Sequence, residues 1–259
     1  MGQRWLKGLF VISSLVVAAC ASNPAKTSNS NYLVGEGDGK ATEKQMIGDL
    51  GRSVQVKVKR DWTAEEKKNM QNSGEFTTSN TDTTFEIYPY TKPLLKARIT
   101  KNVTETAFKE NWDKAKIQPE IDRQYAAEVK RLVTDKQCFG MEIDSNDPEA
   151  ARLEYWYGSV EQGGKSLPLK LSKGAGYSQK GLWVDRSAMP KLTKVYQYAD
   201  ACTTAKMNLL GDFKVTMEPR YRHDLMPTTL TWIAPADAAQ FASAASAPTA
   251  TLPAKSKKH

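Results

Sequence analysis

Apolar residues through the middle of this chain recur at every second position, and that pattern restricts the fold more than any other feature. Val54, Val56 and Val58 alternate with Gln55, Lys57 and Lys59. A strand turns successive side chains to opposite faces, so such a run lays its apolar set on one buried side. The same reading predicts strands over Phe85 to Tyr88, Leu94 to Thr100, Phe139-Met141-Ile143 and Leu153-Tyr155-Tyr157. It continues with Leu167-Leu169-Leu171, Leu182 to Val184, Val195 to Tyr198, Phe213-Val215-Met217 and Leu230-Trp232. Gly163-Gly164-Lys165 and Gly174-Ala175-Gly176 read as hairpin connections between them.

One stretch departs from the period of two. Ile121, Tyr125, Val129, Leu132 and Val133 share a helical face, and Ala107, Phe108, Trp112 and Ala115 make a shorter stripe before it. Pro119 lies between the stripes, which predicts two helices or one kinked helix around residues 104–137. Thr63 and Glu66 form a capping-box pattern for a small helix from Ala64 to about Gln71. Many antiparallel strands with helices gathered in one place predict a mainly β single domain over 46–233 with a helical insertion, either a β-sandwich or an α+β fold. Ser, Asn, Gly, Lys and Thr dominate from Ala21 to about Glu43, so residues 20–45 are expected as a flexible tether. Residues 234–259, rich in Ala, Pro and Ser with a basic end, are expected as a disordered tail.

The charge of the whole chain is +8, from 37 basic and 29 acidic residues. Six of those cations, at Arg4, Lys7, Lys26, Lys255, Lys257 and Lys258, sit in end segments without acids. The body therefore carries 37 − 6 = 31 basic against 29 acidic residues, a net of +2. That mixed surface argues against a phosphate-binding face and against nucleic acid as a partner.

The N-terminus has the parts of an export signal. Arg4 and Lys7 precede an apolar run, Leu9-Phe10-Val11-Ile12 and Leu15-Val16-Val17, which small residues close at Ala18-Ala19. The run is shorter than the ~20 apolar residues that span a bilayer. Val17-Ala18-Ala19-Cys20 resembles the bacterial lipobox: an aliphatic residue, two small ones, then cysteine. The resemblance implies a signal peptide over 1–19, a diacylglycerol on the Cys20 thiol, and attachment to a membrane through the lipid. An ordinary secretory signal with an incidental Cys20 is the alternative. Ser22, where an Asp would mark retention, resembles the sorting pattern that sends lipoproteins to the outer membrane, facing the periplasm. Cys138 and Cys202 are then left as a pair in an oxidising compartment, either bridged or as two buried thiols.

Motifs of catalysis are weak. Gly158-Ser159-Val160-Glu161-Gln162-Gly163-Gly164-Lys165-Ser166 has the lysine one place late for a phosphate loop and is flanked by strands. Asp144-Ser145-Asn146-Asp147 begins like a calcium loop, but Pro148 takes a ligand position. His223 and His259 are the two histidines, and they offer neither a metal set nor a triad with a nucleophile elbow. No catalytic residue, metal or cofactor is assigned. Tyr155-Trp156-Tyr157 turns two tyrosines to one side and Trp156 to the other. With Trp183, Tyr196 and Tyr198 these rings supply either core or a docking surface for sugar, peptidoglycan or protein. Arg220-Tyr221-Arg222-His223 is the densest cationic patch of the body, suited to an acidic partner or to a solvated loop before Pro227. Trp156, Trp183, Arg220 and Arg222 are the candidate binding residues. The role expected is that of a membrane-anchored envelope lipoprotein without catalysis, an assembly, scaffold or secretion-apparatus subunit with an envelope protein partner. A periplasmic ligand carrier or receptor and a cell-wall hydrolase are the alternatives.

Overall fold

The computed structural model of the chain describes residues 26–35, 40–58, 65, 68, 82–145, 147, 149–171, 176–180, 194–222 and 224–245, the side chains of 176–180, 194 and 242–245 excepted. The expected signal peptide with Cys20, most of the expected helix over 64–71, the expected strand from Leu182 to Val184, the Gly174-Ala175 part of an expected turn, Trp183 and His223 all lie outside the described residues.

Among the described residues, nine antiparallel strands form one sheet: β1 (Arg52–Gln55), β2 (Thr83–Pro89), β3 (Cys138–Ser145), β4 (Trp156–Gln162), β5 (Lys165–Leu171), β6 (Gly176–Lys180), β7 (Lys194–Cys202), β8 (Phe213–Pro219) and β9 (Thr228–Trp232). The order is β1-β2-β3-β7-β5-β4-β8-β9, and β6 also pairs β7. β5 and β6 follow the same edge of β7, with Leu171 opposite Ala201 and Gly176 opposite Tyr198, so together they occupy one strand position. The sheet then curls until its first and last strands approach, an eight-position near-barrel. Past β1, Val58 bridges Leu225 and the Met226 amide donates to the Lys57 carbonyl at 2.8 Å. At the other end Trp232 Nε1 donates to the Leu50 carbonyl at 2.8 Å.

Alternation places Phe85, Ile87, Phe139, Met141, Ile143, Val160, Val215 and Leu230 in the interior, each 3 % exposed or less. Phe213 stacks on Trp232 with ring centroids 4.8 Å apart and planes at 10°. Four helices described early in the chain are α1 (Ser30–Leu33), α2 (Glu43–Leu50), α3 (Lys92–Lys109) and α4 (Lys114–Val129), which runs on into a π-turn over Lys130–Thr134; α5 (Ala238–Ala245) follows β9. Leu33, Met46, Leu50, Leu94 and Leu95 join the barrel's own core, so the first three helices cover apolar strand ends. The α3–α4 hairpin has a small core of its own, built on Ile99, Val103 and Ile121.

The β-rich single domain with helical elements agrees with the periodicity, and so do the two glycines of the β4–β5 hairpin. Gly163 and Gly164 take φ of 56° and 74°, the left-handed pair that a tight two-residue connection needs. Cys138 stands directly opposite Cys202 on paired strands and the two form a disulfide.

Four expectations are corrected. Leu94 to Thr100 is helical, inside α3: Thr91 Oγ1 accepts from the Leu94 amide, Pro93 fits the first turn, and the buried set Leu95, Ile99, Val103 and Ala107 is spaced by four. The helical break falls at residues 110–113, where Asn111 has φ 53° and the Asp113 side chain caps α4, and α4 runs through Pro119. Leu153–Tyr155 is a 3₁₀ turn and β4 begins only at Trp156. The flexible segments are also shorter than composition suggests. Residues 26–35 pack onto the domain, with Ser28, Ser30 and Leu33 buried, and the chain past residue 233 buries Pro235 and forms α5.

Candidate functional site

The exposed outer surface at one end of β4 and β8 is the most organised patch of aromatic and cationic side chains on the described residues. β4 sets it up by alternation. Trp156 points inward and is 4 % exposed; Tyr157 points outward and is 55 % exposed. The β4–β8 register places Tyr157 opposite Glu218 and Trp156 opposite Pro219, so the chain leaving β8 passes over the tyrosine. Arg220 is fastened there by its amide, which donates to the Tyr155 carbonyl at 2.7 Å. Its guanidinium carbon lies 4.1 Å from the Tyr157 ring centroid and 5.9 Å from that of Tyr221. Tyr221, 59 % exposed, meets Tyr155 edge-on at 5.1 Å and 86°, and the Arg152 guanidinium covers Tyr155 at 4.7 Å.

The result is a continuous chain of contacts through Arg152, Tyr155, Tyr221, Arg220 and Tyr157. Each cation–π contact at such an exposed place is worth about 0.5–1 kcal/mol. Their larger effect is to hold the tyrosine rings in fixed rotamers, so that a partner meets a surface already ordered. Rigid tyrosines and arginines are the residue types that carry most binding energy at protein interfaces. Arg152 is paired with Glu154 at 2.8 Å. Arg220 makes no ion pair among the described residues, and burial of its Nε leaves that atom without a hydrogen-bond acceptor there.

The four residues chosen from the sequence separate. Arg220 belongs to the surface. Trp156 is core: it packs edge-on against Phe85 at 4.8 Å and donates from Nε1 to the Ala150 carbonyl at 2.9 Å. Trp183 lies outside the described residues. Arg222 is a structural anchor, ion-paired with Asp147 and, at 2.8 Å, with Asp224. Asp147 is 5 % exposed and its Oδ1 also accepts from the Glu149 amide at 2.9 Å, so the supposed calcium turn is held by backbone donors and an arginine. Arg152 and the outward Tyr157 are what the residue choice missed. The Trp156-Tyr157 alternation contained the signal for Tyr157, since a tryptophan buried at the start of β4 turns the next side chain outward, whereas half-buried Tyr155 is placed by the 3₁₀ turn.

A second titratable group lies between α3 and the sheet. Arg98 Nε pairs with Glu43 at 2.6 Å, and its two Nη atoms donate to the hydroxyls of Tyr90 and Tyr88 at 3.1 Å each. Tyr90 Oη donates to Asp200 Oδ1 at 2.6 Å, and Arg131 reaches Asp200 Oδ2 at 2.9 Å. Burial raises the pKa of both phenols. With Tyr88 and Tyr90 only 6 % and 4 % exposed, the cluster works as a clamp holding α3 to the sheet. An open polar cleft of about 430 Å³ lies elsewhere, lined by Thr27, Asn29, Ser30, Asp49, Pro235 and Asp237. Among the described residues no three His, Cys, Asp or Glu side chains converge on a metal position. No family model, curated protein or solved structure matches the chain.

Proposed function

We propose that this chain is an envelope lipoprotein, anchored in the outer membrane through lipid on Cys20 and facing the periplasm. It works there by contact, as an assembly, scaffold or secretion-apparatus subunit. The observation that carries the reading is the ordered Arg152–Tyr155–Tyr221–Arg220–Tyr157 surface, with two tyrosines more than half exposed on a rigid strand end. Exposed aromatic side chains locked by arginine resemble the central residues of protein interfaces more than a surface left to water. The disulfide supports an oxidising compartment. The partner is an envelope protein, and its contact face offers carboxylates to Arg220 and flat apolar surface to the tyrosines.

The test is photocrosslinking in intact cells from Tyr157 and Tyr221, one at a time, with Trp156 as a buried control and Cys20→Ala as an anchor control. A discrete protein adduct from both exposed positions, lost in the Arg220→Ser variant, is the expected result. If neither position captures a protein and a small molecule co-purifies instead, a ligand carrier replaces this reading.

A further inference from the structure

The N-terminal segment is pinned to the domain from residue 26 onward. Thr27 forms a parallel bridge with Ile233, just past β9. Arg52 donates to the Lys26 carbonyl and, at 3.0 Å, to Ser28 Oγ, while its Nη1 also satisfies the Asp49 and Gly51 carbonyls at the end of α2. Lys26 Nζ donates to the Gly48 carbonyl at 2.7 Å, the Asn29 amide to Asp49 at 2.8 Å, and Ser30 Oγ to Asp237. Six residue steps separate Cys20 from the pinned Lys26. At ~3.3–3.6 Å per residue that is a reach of about 20 Å, where a tether free up to residue 45 would reach roughly 85 Å.

The pinned end has a defined place on the barrel. Ile233 follows Trp232, which pairs with Phe213 at the start of β8. The Arg/Tyr surface lies past the other end of β8, where Pro219 pairs with Trp156. Seven residues of strand, from Phe213 to Arg220, separate the two, about 23 Å at ~3.3 Å per residue. The β4–β5 hairpin marks the pinned end, since Gln162 Nε2 bonds the Asp212 carbonyl and the Ala234 amide bonds Asp212 Oδ1.

We infer that the domain sits against the bilayer by its Thr27–Ile233 end and turns the Arg152–Tyr155–Tyr221–Arg220–Tyr157 surface away from lipid. This rests on the lipid anchor of the proposed function. The seating makes the partner of that surface a component of the aqueous periplasm rather than a lipid headgroup, and it limits the partner to one standing within a domain's height of the membrane. The short spacing does the orienting: a span of at most about 20 Å cannot lift the Thr27–Ile233 end by the ~23 Å that inversion requires.

Energy transfer in vesicles tests the seating. The lipidated full chain is reconstituted in phosphatidylethanolamine–phosphatidylglycerol vesicles that carry an acceptor lipid. A donor dye is attached at Lys165→Cys, on the hairpin, or at Tyr221→Cys, with the native disulfide intact. Transfer from Lys165→Cys is expected to exceed that from Tyr221→Cys roughly twofold or more, as the ~23 Å offset along the strands requires. Insertion of 20 Gly/Ser residues between Asn23 and Pro24 adds about 25 Å of r.m.s. reach and should lower transfer at Lys165→Cys and narrow the difference. Equal transfer from the two sites in a vesicle-bound chain overturns the seating and leaves the anchor standing. If the chain floats no better with vesicles than Cys20→Ala does, the anchor itself fails and the seating fails with it.

Discussion

Gly140→Ala is the substitution on which the packing argument is most exposed. Gly140 faces Tyr88 across the β2–β3 ladder, and the hydroxyl end of the Tyr88 ring occupies the space where a Cβ would stand. A Cβ at this position would stand 2.5 Å from Tyr88 Oη, with Cζ and Cε2 nearer still. Ordinary contact begins near 3.4 Å, so the ring must move by about 1 Å. It is not free to do so: its hydroxyl accepts from Arg98 at 3.1 Å and its edge meets Tyr90 at 5.8 Å and 84°. Displacement breaks a hydrogen bond to a charged group, about 1.5–3 kcal/mol, and adds overpacking strain of about 1–3 kcal/mol. Replacing glycine restricts the unfolded chain, which offsets about 0.5–1 kcal/mol. The net expectation is a loss of about 1.5–5.5 kcal/mol, read as a fall of about 1–3 M in the urea midpoint at an m of about 2 kcal/mol/M. In a Tyr88→Ala background the clash is gone, and Gly140→Ala should become neutral or stabilising by up to about 1 kcal/mol. A cost that is equal in both backgrounds, or below about 1 kcal/mol in the wild type, would refute the account of this contact.

Trp156→Ala should cost about 3–5 kcal/mol and Tyr157→Ala less than about 1 kcal/mol, because one ring is core and its neighbour is not; thermal unfolding of both variants checks this. The Cys138→Ala/Cys202→Ala variant should lose about 4 kcal/mol by the loop-closure argument, since the bridge joins residues 64 apart; denaturant midpoints with and without reductant give the value. Glu86 stands opposite Glu142 on β2 and β3, and burial first, then the neighbouring carboxylate, raises its pKa. A raised carboxyl pKa means the folded state holds the proton longer, so this group favours folding at acid pH and loses that contribution as pH rises through the folded value. Glu86→Gln should therefore stabilise by about 0.2–1 kcal/mol at pH 7, the usual size of a cross-strand charge effect, and the gain should vanish near pH 4, where urea titrations at both pH values would show it.

The alternation of apolar and polar residues determined most of the strands, because period two is a local property that survives without knowledge of neighbours. It also determined that Trp156 and Tyr157 face opposite ways. It left undecided which of them is buried, because that depends on the sheet face on which Phe85 and the rest of the core assemble. Leu94 to Thr100 went to helix because Thr91 and Pro93 start one and because α1, α2 and the strand ends offer an apolar bed. Local apolar content does not distinguish those outcomes over seven residues. Arg220 and Arg222 look alike in sequence, two places apart. Tertiary structure gave Arg222 a buried carboxylate, Asp147, from 75 positions away and laid Arg220 across Tyr157 on the neighbouring strand β4. Composition likewise suited residues 26–35 to a free tether, and long-range bonds to Arg52, Asp49 and Asp237 made them part of the domain. The resemblance of Val17-Ala18-Ala19-Cys20 to a lipobox is likewise local, four consecutive residues whose pattern is complete without any tertiary contact. Only the folded barrel decided that the pinned Thr27–Ile233 contact and the Arg220–Tyr157 contact stand at opposite ends of β8, because strand pairing sets both positions.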